Sequence, residues 1–188
     1  FYAKSNEGQI GIEVALKYND SFTDTYKLFT NSIPNSGGTH LTGFRTALTQ
    51  TINEYAREKN LLKDKDSNLT GEELKEGLTL ILSFKMPDPV FSGQTKDILS
   101  SAEARTAVQR LASKELKLWF DTNPKDAKAI VEKALLARSA REKAKKAKDA
   151  VRNIEGKKKN KNFLNLPTKL VDCWSKNRAE CELFIAEG

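Results

Sequence analysis

The segment Gly37–Ala56 limits the possible folds most strongly, because it joins a glycine pair to a long amphipathic stretch. The two glycines favour a turn, and Thr39 follows at a position suited to cap a helix. Beyond it, apolar side chains recur in steps of three and four residues, at Phe44, Leu48, Ile52 and Tyr55. This spacing predicts a helix that ends near Asn60 and buries one face.

Alternating apolar and polar side chains predict the strands that such a helix would cover. The alternation is clear over Ile10–Tyr18 and Leu78–Phe84, and a further strand is predicted over Tyr26–Thr30. Pro87-Asp-Pro89 ends the strand that begins at Leu78, because proline cannot donate to a sheet. The segment Phe91–Ser101 is interpreted as a loop.

Three more helices follow from start and stop signals. Thr70 and Glu73 have capping-box spacing, and Gly77 ends that short helix. Apolar residues from Val108 to Trp119 repeat at helical spacing. Asn123-Pro124 starts a third helix, which nothing interrupts until Gly156 and whose thin alanine seam suggests a partner helix. Strands and helices within one unit predict an α+β domain.

The positive charge is concentrated in that last helix. Residues 125–161 contain 14 basic and 5 acidic residues, whereas the rest of the chain contains 18 basic and 20 acidic residues. One-signed charges three and four residues apart repel each other on a helix, and a polyanion would relieve that repulsion. The alternative is a solvated helix surface. The candidate polyanion-binding residues are Arg138, Arg141, Lys143, Lys145, Lys146 and Lys148.

The loop Phe91-Ser-Gly-Gln-Thr-Lys96 is the second candidate site. Gln94 and Lys96 offer an amide and an ammonium group two residues apart in a glycine-containing loop. Such a pair can bind an anion, a phosphate in particular. An exposed turn with an ordinary surface lysine is the alternative interpretation.

Composition and the chain ends restrict the class of protein. No apolar run approaches the roughly 20 residues of a membrane helix, and the first residues, Phe1–Ser5, contain neither an initiator Met nor the apolar region of a signal sequence. We therefore expect an internal piece of a longer cytoplasmic protein. With Cys173, Cys181 and His40 as the only cysteines and histidine, a structural zinc site is not expected, and two reduced thiols are favoured over a disulfide. We expect His40 to satisfy loop carbonyls and Arg45 to be structural.

Four segments resemble the B-type subunit of bacterial type IIA DNA topoisomerases, gyrase and topoisomerase IV. They occur in the family's order along the chain, and they carry a resemblance that covers nearly all of it: Gly37–Ala56, Leu69–Leu78, Pro87–Lys96 and Leu166–Gly188. The end of the chain is more similar to gyrase than to topoisomerase IV. Asp97–Ser101 and Thr168 depart from the family pattern, which affects loop detail rather than the family.

The resemblance implies a ribosomal-S5-like transducer, with a mixed sheet and helices on one face, over residues 1–123. A long basic helix and linker would occupy residues 124–162, and a truncated TOPRIM domain would begin at residue 163. The implied function is ATP-dependent passage of one DNA double strand through another. In that family the transducer couples the ATPase to the DNA gate.

The same resemblance assigns roles to individual residues. Gln94 and Lys96 would contact the terminal phosphate of ATP in the neighbouring ATPase domain. Glu187 would serve as TOPRIM acid–base or Mg²⁺ ligand, although the later metal ligands lie beyond Gly188. The basic residues of the long helix, Arg138 to Lys148, would contact the phosphates of double-stranded DNA. The other partners would be an A-type subunit in a heterotetramer and a second B-type subunit, which joins on ATP binding. We expect this chain alone to bind neither ATP nor Mg²⁺ and to hydrolyse no nucleotide.

Two other classes of protein remain open from the sequence. One is a stand-alone nucleic-acid-binding module with an S5-like core and a basic helical arm, which would not need Gln94 and Lys96. The other is the middle domain of an ATP-gated clamp, such as a mismatch-repair or chaperone protein, which would lack Glu187-Gly188. Codons for Asp-Ser-Ala-Gly-Gly directly after Gly188 would favour the topoisomerase.

Overall fold

The computed structural model describes residues 1–63, 65–160, 175 and 177–182. The chain divides into two compact units, Phe1–Glu142 and Lys143–Gly188. All the buried hydrophobic side chains of the described part lie in the first unit. The strands are β1 Tyr2–Glu7, β2 Ile10–Tyr18, β3 Thr25–Thr30, β4 Ile33–Asn35, β5 Gly37–Gly38, β6 Leu78–Lys85, β7 Phe91–Ser92 and β8 Ile98–Leu99. The helices are α1 Thr39–Glu58, α2 Gly71–Leu74, α3 Ala102–Thr122 and α4 Pro124–Asn160, with a short 3-10 turn at Arg178–Glu180.

A five-stranded mixed sheet in the order β1-β2-β6-β3-β4 forms the base of the first unit. β3 runs parallel to β6, and the other neighbouring strands are antiparallel. The pairing aligns the alternating side chains, so Val14 lies opposite Leu82 and Leu82 lies beside Leu28. All three are buried, at 2% exposure or less. The helices therefore cover one face of the sheet, as the alternation predicted.

α1 and α3 pack side by side over this face. α1 buries the predicted apolar face, including Phe44 and Ile52 at 0% exposure. α3 buries the apolar side chains that recur at helical spacing along it, among them Val108 and Leu116. A Cβ on Gly43 of α1 would lie only 2.3 Å from the carbonyl oxygen of Arg105. The absence of a side chain at this position lets the two helix backbones approach closely.

The observed start of α2 agrees with the prediction, whereas the start of α1 differs from it. Thr70 carries the predicted capping box, with its backbone N–H donating to Glu73 Oε2 at 2.8 Å. Gly38, not Thr39, is the N-cap of α1, and it has a φ of +140°. A Cβ there would lie 2.6 Å from the carbonyl oxygen of Leu99, so only glycine fits. The Thr39 hydroxyl instead donates to the carbonyl oxygen of Ser101 at 2.7 Å.

Two boundaries and several short strands differ from the predictions. α4 continues past Gly156 to Asn160, because one helix glycine costs only about 1 kcal/mol and the lysines that follow are good helix formers. The predicted loop Phe91–Ser101 contains β7 and β8. β1 was missed because it buries only Ala3 and so lacks a strong alternation. Two-residue strands such as β5 are too short to produce a period.

Replacing Gly43 by alanine should destabilise the first unit. The added methyl group must displace the Arg105 backbone, and overpacking of this kind costs about 1–3 kcal/mol. Gly71→Ala is the matched control, because its Cβ would meet nothing closer than Thr49 Oγ1 at 3.8 Å. Urea unfolding measures both changes. Equal free energies of unfolding for the two variants would contradict the close helix contact.

Candidate functional site

The segment with Gln94 and Lys96 forms the tip of a small β-hairpin. β7 and β8 pair antiparallel, with Phe91 opposite Leu99 and Ser92 opposite Ile98. β5 pairs with β8 in parallel and completes a three-stranded sheet. The tip, residues 93–97, contains two left-handed residues, Gly93 with a φ of +84° and Lys96 with a φ of +57°. A left-handed lysine is uncommon and needs support from its surroundings.

That support comes from the segment directly before β5. The side-chain amide of Asn35 donates to the carbonyl oxygen of Lys96 at 2.8 Å. The backbone N–H of Ser36 donates to the carbonyl oxygen of Asp97 at 2.8 Å, and its hydroxyl donates to the same oxygen at 3.3 Å. The backbone of the hairpin tip is therefore held in place on one side.

The side chains at the hairpin tip, by contrast, are exposed to solvent. Gln94, Thr95 and Lys96 are all exposed. Within residues 1–63, 65–160, 175 and 177–182, the ammonium group of Lys96 makes no ion pair. A fixed backbone that presents an unneutralised cation can bind an anion without first breaking a competing ion pair.

Arg138, the first of the predicted DNA-binding residues, has a different environment. Its guanidinium group pairs with Glu73 at 3.2 Å, and the two side chains are only 13% and 11% exposed. It also donates to the carbonyl oxygens of Ser67 at 2.9 Å and Asn68 at 2.6 Å. These bonds use most of its donors, so Arg138 fixes α4 to the segment before α2 and is not available to phosphate.

The remaining predicted DNA-binding residues become more exposed along α4. Arg141 still pairs with Glu76, with Nε 3.1 Å from Oε1, and its side chain is 43% exposed. In the second unit, the four predicted lysines of α4 are all exposed. Among the described residues, they make no ion pair: Lys143, Lys145, Lys146 and Lys148. Their role in DNA binding stays a prediction.

His40 does not satisfy loop carbonyls, as the sequence analysis expected. It lies in the first turn of α1, is 0% exposed, and stacks against Phe84 with ring centroids 6.5 Å apart. Neither ring nitrogen has a hydrogen-bond partner within the described part of the chain. Burial therefore lowers the pKa of His40 to about 4, because the charged ring would lose its hydration. Arg45 has structural contacts, 3.9 Å from Asp24 and 4.7 Å from the ring centroid of Tyr26.

Cys173 and Glu187, two residues named in the sequence analysis, lie outside the described residues. Cys181 is exposed, and its Sγ lies 3.3 Å from the carbonyl oxygen of Ser175 and 3.2 Å from that of Asn177, which share its single S–H donor. The described part of the chain contains no group of three His, Cys, Asp or Glu side chains that could hold a metal ion. None of the helices described is long and apolar enough to cross a membrane.

Comparison with known proteins decides the family. The DNA gyrase B family model matches residues 1–150. The chain belongs to the DNA gyrase B family. It is 46% identical to a novobiocin-resistant DNA gyrase B protein of Streptomyces niveus, over 99% of this chain and 27% of that protein. It is 45% identical to the DNA gyrase B protein of Bacillus mycoides, over 100% of this chain and 46% of that protein.

Solved structures agree with the family and with the α+β fold. The 43K ATPase domain of Thermus thermophilus gyrase B has a TM-score of 0.73 and 37% identity. The match covers 80% of this gyrase B-family chain and 40% of the Thermus chain. The topoisomerase IV ATP-binding domain of Francisella tularensis has a TM-score of 0.66 and 28% identity, over 75% and 39% of the two chains. This gyrase B-family chain thus spans less than half the length of these relatives.

The residues that hold the hairpin were missed in the sequence analysis. Asn35 and Ser36 stand just before the glycine pair, and the sequence analysis predicted no role for them. Their residue types were a usable signal, because short polar side chains often bond nearby backbone in turns. Their partners, however, lie 61 residues away in sequence. Glu73 was identified as a capping residue, but its ion pair with Arg138 was not foreseen.

Removing the Arg138 side chain should destabilise the protein rather than weaken DNA binding. Arg138→Ala leaves the Glu73 carboxylate largely buried without its cation, which costs about 3 kcal/mol. Lys146→Ala, at an exposed position of the same helix, should change the free energy of unfolding by less than about 0.5 kcal/mol. Chemical unfolding measures both. A stability cost for Arg138→Ala no larger than that for Lys146→Ala would contradict the buried pair.

His40 should make stability depend on pH. Its pKa is about 4 when folded, below the ordinary 6.5, so the unfolded chain takes up the proton first as the pH falls. The stabilisation is complete above pH 6.5 and declines toward pH 4, by about 3 kcal/mol for this shift. We expect the free energy of unfolding of His40→Leu to fall less over this range. Parallel wild-type and variant profiles from urea titrations at several pH values would contradict this account.

Proposed function

We propose that this chain is the transducer region of a type IIA DNA topoisomerase B-type subunit of the gyrase kind. In this role it couples ATP binding and hydrolysis to double-strand DNA passage. We assign residues 1–123 to an S5-like transducer, residues 124–162 to the basic helix and linker, and residues 163–188 to the start of a TOPRIM domain. The DNA gyrase B family membership over nearly the whole chain supports this proposal. It does not favour a stand-alone nucleic-acid module.

The observation that carries the proposal is the Lys96 ammonium at the tip of a hairpin whose backbone is held by Asn35 and Ser36. When ATP is bound in a preceding ATPase domain, Lys96 and Gln94 would contact its terminal phosphate, which supplies the negative charge they require. An ammonium group close to that phosphate is stabilised, and it returns to water when the phosphate leaves. Lys96 is thus suited to sense the nucleotide.

The hairpin is connected directly to both packed helices. β5 continues into α1 at Thr39, and β8 is followed by Ser101, the N-cap of α3. The Thr39 hydroxyl joins the two starts by donating to the Ser101 carbonyl oxygen at 2.7 Å. A displacement of the tip would therefore act on the beginnings of α1 and α3 together. This is how we propose that nucleotide occupancy moves the core.

The DNA-facing part of the proposal rests on the lysines of α4. Four exposed ammonium groups within six residues suit contacts to phosphates, which do not read sequence. They are Lys143, Lys145, Lys146 and Lys148. Arg138 is excluded from this set because its guanidinium group is already bonded to Glu73 and to backbone carbonyl oxygens. Arg141 is excluded because it forms an ion pair with Glu76.

We also propose the other properties of the family for the whole protein. Glu187 would belong to the TOPRIM metal and acid–base site, whose remaining ligands lie beyond Gly188, and no catalytic step is assigned to this chain. An A-type subunit, a second B-type subunit and double-stranded DNA would be its partners, and ATP with Mg²⁺ its cofactors. The cytoplasm is its proposed location, and this chain alone would be inactive.

Lys96→Ala in a full-length protein that contains this segment should lower ATP turnover. The change removes the ammonium group but leaves the backbone oxygen that Asn35 binds. Loss of one charge-assisted contact to phosphate, worth about 1.5–3 kcal/mol, corresponds to a roughly 10- to 100-fold lower turnover if it acts in the transition state. A steady-state assay of ATP hydrolysis measures it.

Lys114→Ala is the matched control, because Lys114 is exposed on α3 and far in sequence from the hairpin. Its turnover should equal that of the wild type. Gln94→Ala should give a smaller decrease than Lys96→Ala, since it removes a neutral donor. Wild-type turnover by the Lys96→Ala protein would refute the sensing role.

A further inference from the structure

The five-stranded sheet has one face that no helix of the first unit covers. The outward residues are fixed by register: Ala15, Ile81 and Lys27 lie side by side on β2, β6 and β3. Ile81, near the centre of this outer face, is 47% exposed, and Tyr2 at its edge is 63% exposed. The opposite face contains the buried core. The outer face is therefore a broad, accessible surface of the first unit.

Basic residues dominate the charge on the outer face. Four neighbouring strands each contribute one exposed outward lysine: Lys4 on β1, Lys17 on β2, Lys85 on β6 and Lys27 on β3. Glu13 is the one outward carboxylate among these strand residues. Although it lies opposite Lys4, it accepts a hydrogen bond from the Tyr2 hydroxyl at 2.8 Å.

These lysines differ from six basic residues elsewhere in the first unit, which form ion pairs: Arg45, Lys75, Arg110, Lys128, Arg138 and Arg141. Every ion pair in the described part of the chain includes a helix residue, as in Arg110–Glu7 and Arg138–Glu73. None of those ion pairs includes a lysine of the outer face. Its positive charge is thus not neutralised within the described fold, so it attracts a polyanion more strongly than a mixed surface would.

The spacing of the lysines suits a DNA duplex. Lys17 on β2 and Lys27 on β3 flank β6 and are offset by two residues, which corresponds to about 12 Å between their Cα atoms. Lys17 and Lys85 lie about 20 Å apart by the same geometry. The major groove is about 12 Å wide, so lysines at this spacing reach phosphates on both of its edges. The sheet face between them carries hydroxyl side chains from Thr79 and Ser83.

We propose that the outer face of the sheet is a second surface for double-stranded DNA, separate from the lysines of α4. The lysines contact phosphates, and Ile81 and Ala15 fill the space between them without reading bases. This inference rests on the proposed function only in taking DNA as the partner. It places DNA against the sheet, a surface that neither the sequence pattern nor the basic helix identifies as a DNA-binding site.

The test is fluorescence anisotropy of a labelled duplex of mixed sequence with the 188-residue chain at several salt concentrations. In the sheet variant, Lys4, Lys17, Lys27 and Lys85 are all replaced by Gln. We expect its affinity to fall roughly tenfold or more, and the slope of log K against log salt to decrease by about 3 to 4. In the control variant, four lysines at other exposed positions are replaced by Gln, so that the same charge is lost: Lys63, Lys65, Lys114 and Lys117.

The control variant should lose less than about threefold in affinity, because it changes only the net charge. A third variant, Ile81→Glu, keeps every lysine but adds a carboxylate at the centre of the outer face, and it should also weaken binding. Circular dichroism melting identifies any variant that fails to fold. Ile81→Glu then decides the matter if the fourfold sheet variant does not fold.

Three outcomes would overturn the proposal. The first is an equal DNA affinity of the sheet and control variants. The second is wild-type affinity of the Ile81→Glu variant. The third is an equal loss of affinity for single-stranded and double-stranded DNA in the sheet variant. A further variant with Gln at Lys143, Lys145, Lys146 and Lys148 tests the α4 surface independently. A loss there with none in the sheet variant refutes the outer face alone, and the reverse refutes only the α4 assignment.

Discussion

β6 is held between β2 and β3, and this pairing positions the other main elements of the first unit. Its inward residues, including Leu80 and Leu82 at 0% exposure, meet apolar partners from both neighbouring strands. A shift of one residue would turn this apolar set to solvent, so the burial itself fixes the register. The same register sets where α1 and α3 pack and which lysines face outward. One ladder thus defines the core and, on its reverse side, a charged surface.

The hairpin that carries Lys96 depends on this core through short, specific connections. Two-residue strands have little stability of their own. β8 lies between β7 and β5, and the β5 backbone passes so close to Leu99 that only Gly38 fits. The hydrogen bonds of Asn35 and Ser36 then hold the tip. Such a site has a firmly placed backbone and an exposed side chain, which is an arrangement suited to detecting a ligand that comes and goes.

Charge has two different uses in the first unit. Arg138 and Glu73 form a nearly buried pair that fixes α4 against the core, and its desolvation makes the geometry demanding. Exposed lysines on the outer face of the sheet make no such pairs among the described residues. The sequence analysis placed Arg138 with the lysines of α4 because all of them belong to one basic segment. Only the fold distinguishes the residues that stabilise it from those available to an anion.

The regular elements and the family could be read from the order of the amino acids. β2, β6, α1 and α3 follow from apolar periods of two and 3.6 residues, which are local properties of the chain. The Gln94–Lys96 segment was likewise identified from its own residues. The folded chain was needed to find the hairpin at that segment, the buried His40, the partner of Arg138 and the lysines that share one sheet face. Each depends on residues distant in sequence, such as Glu73 and Arg138, which are 65 positions apart. Local periodicity contains no information about such pairings, because they arise only when the core closes.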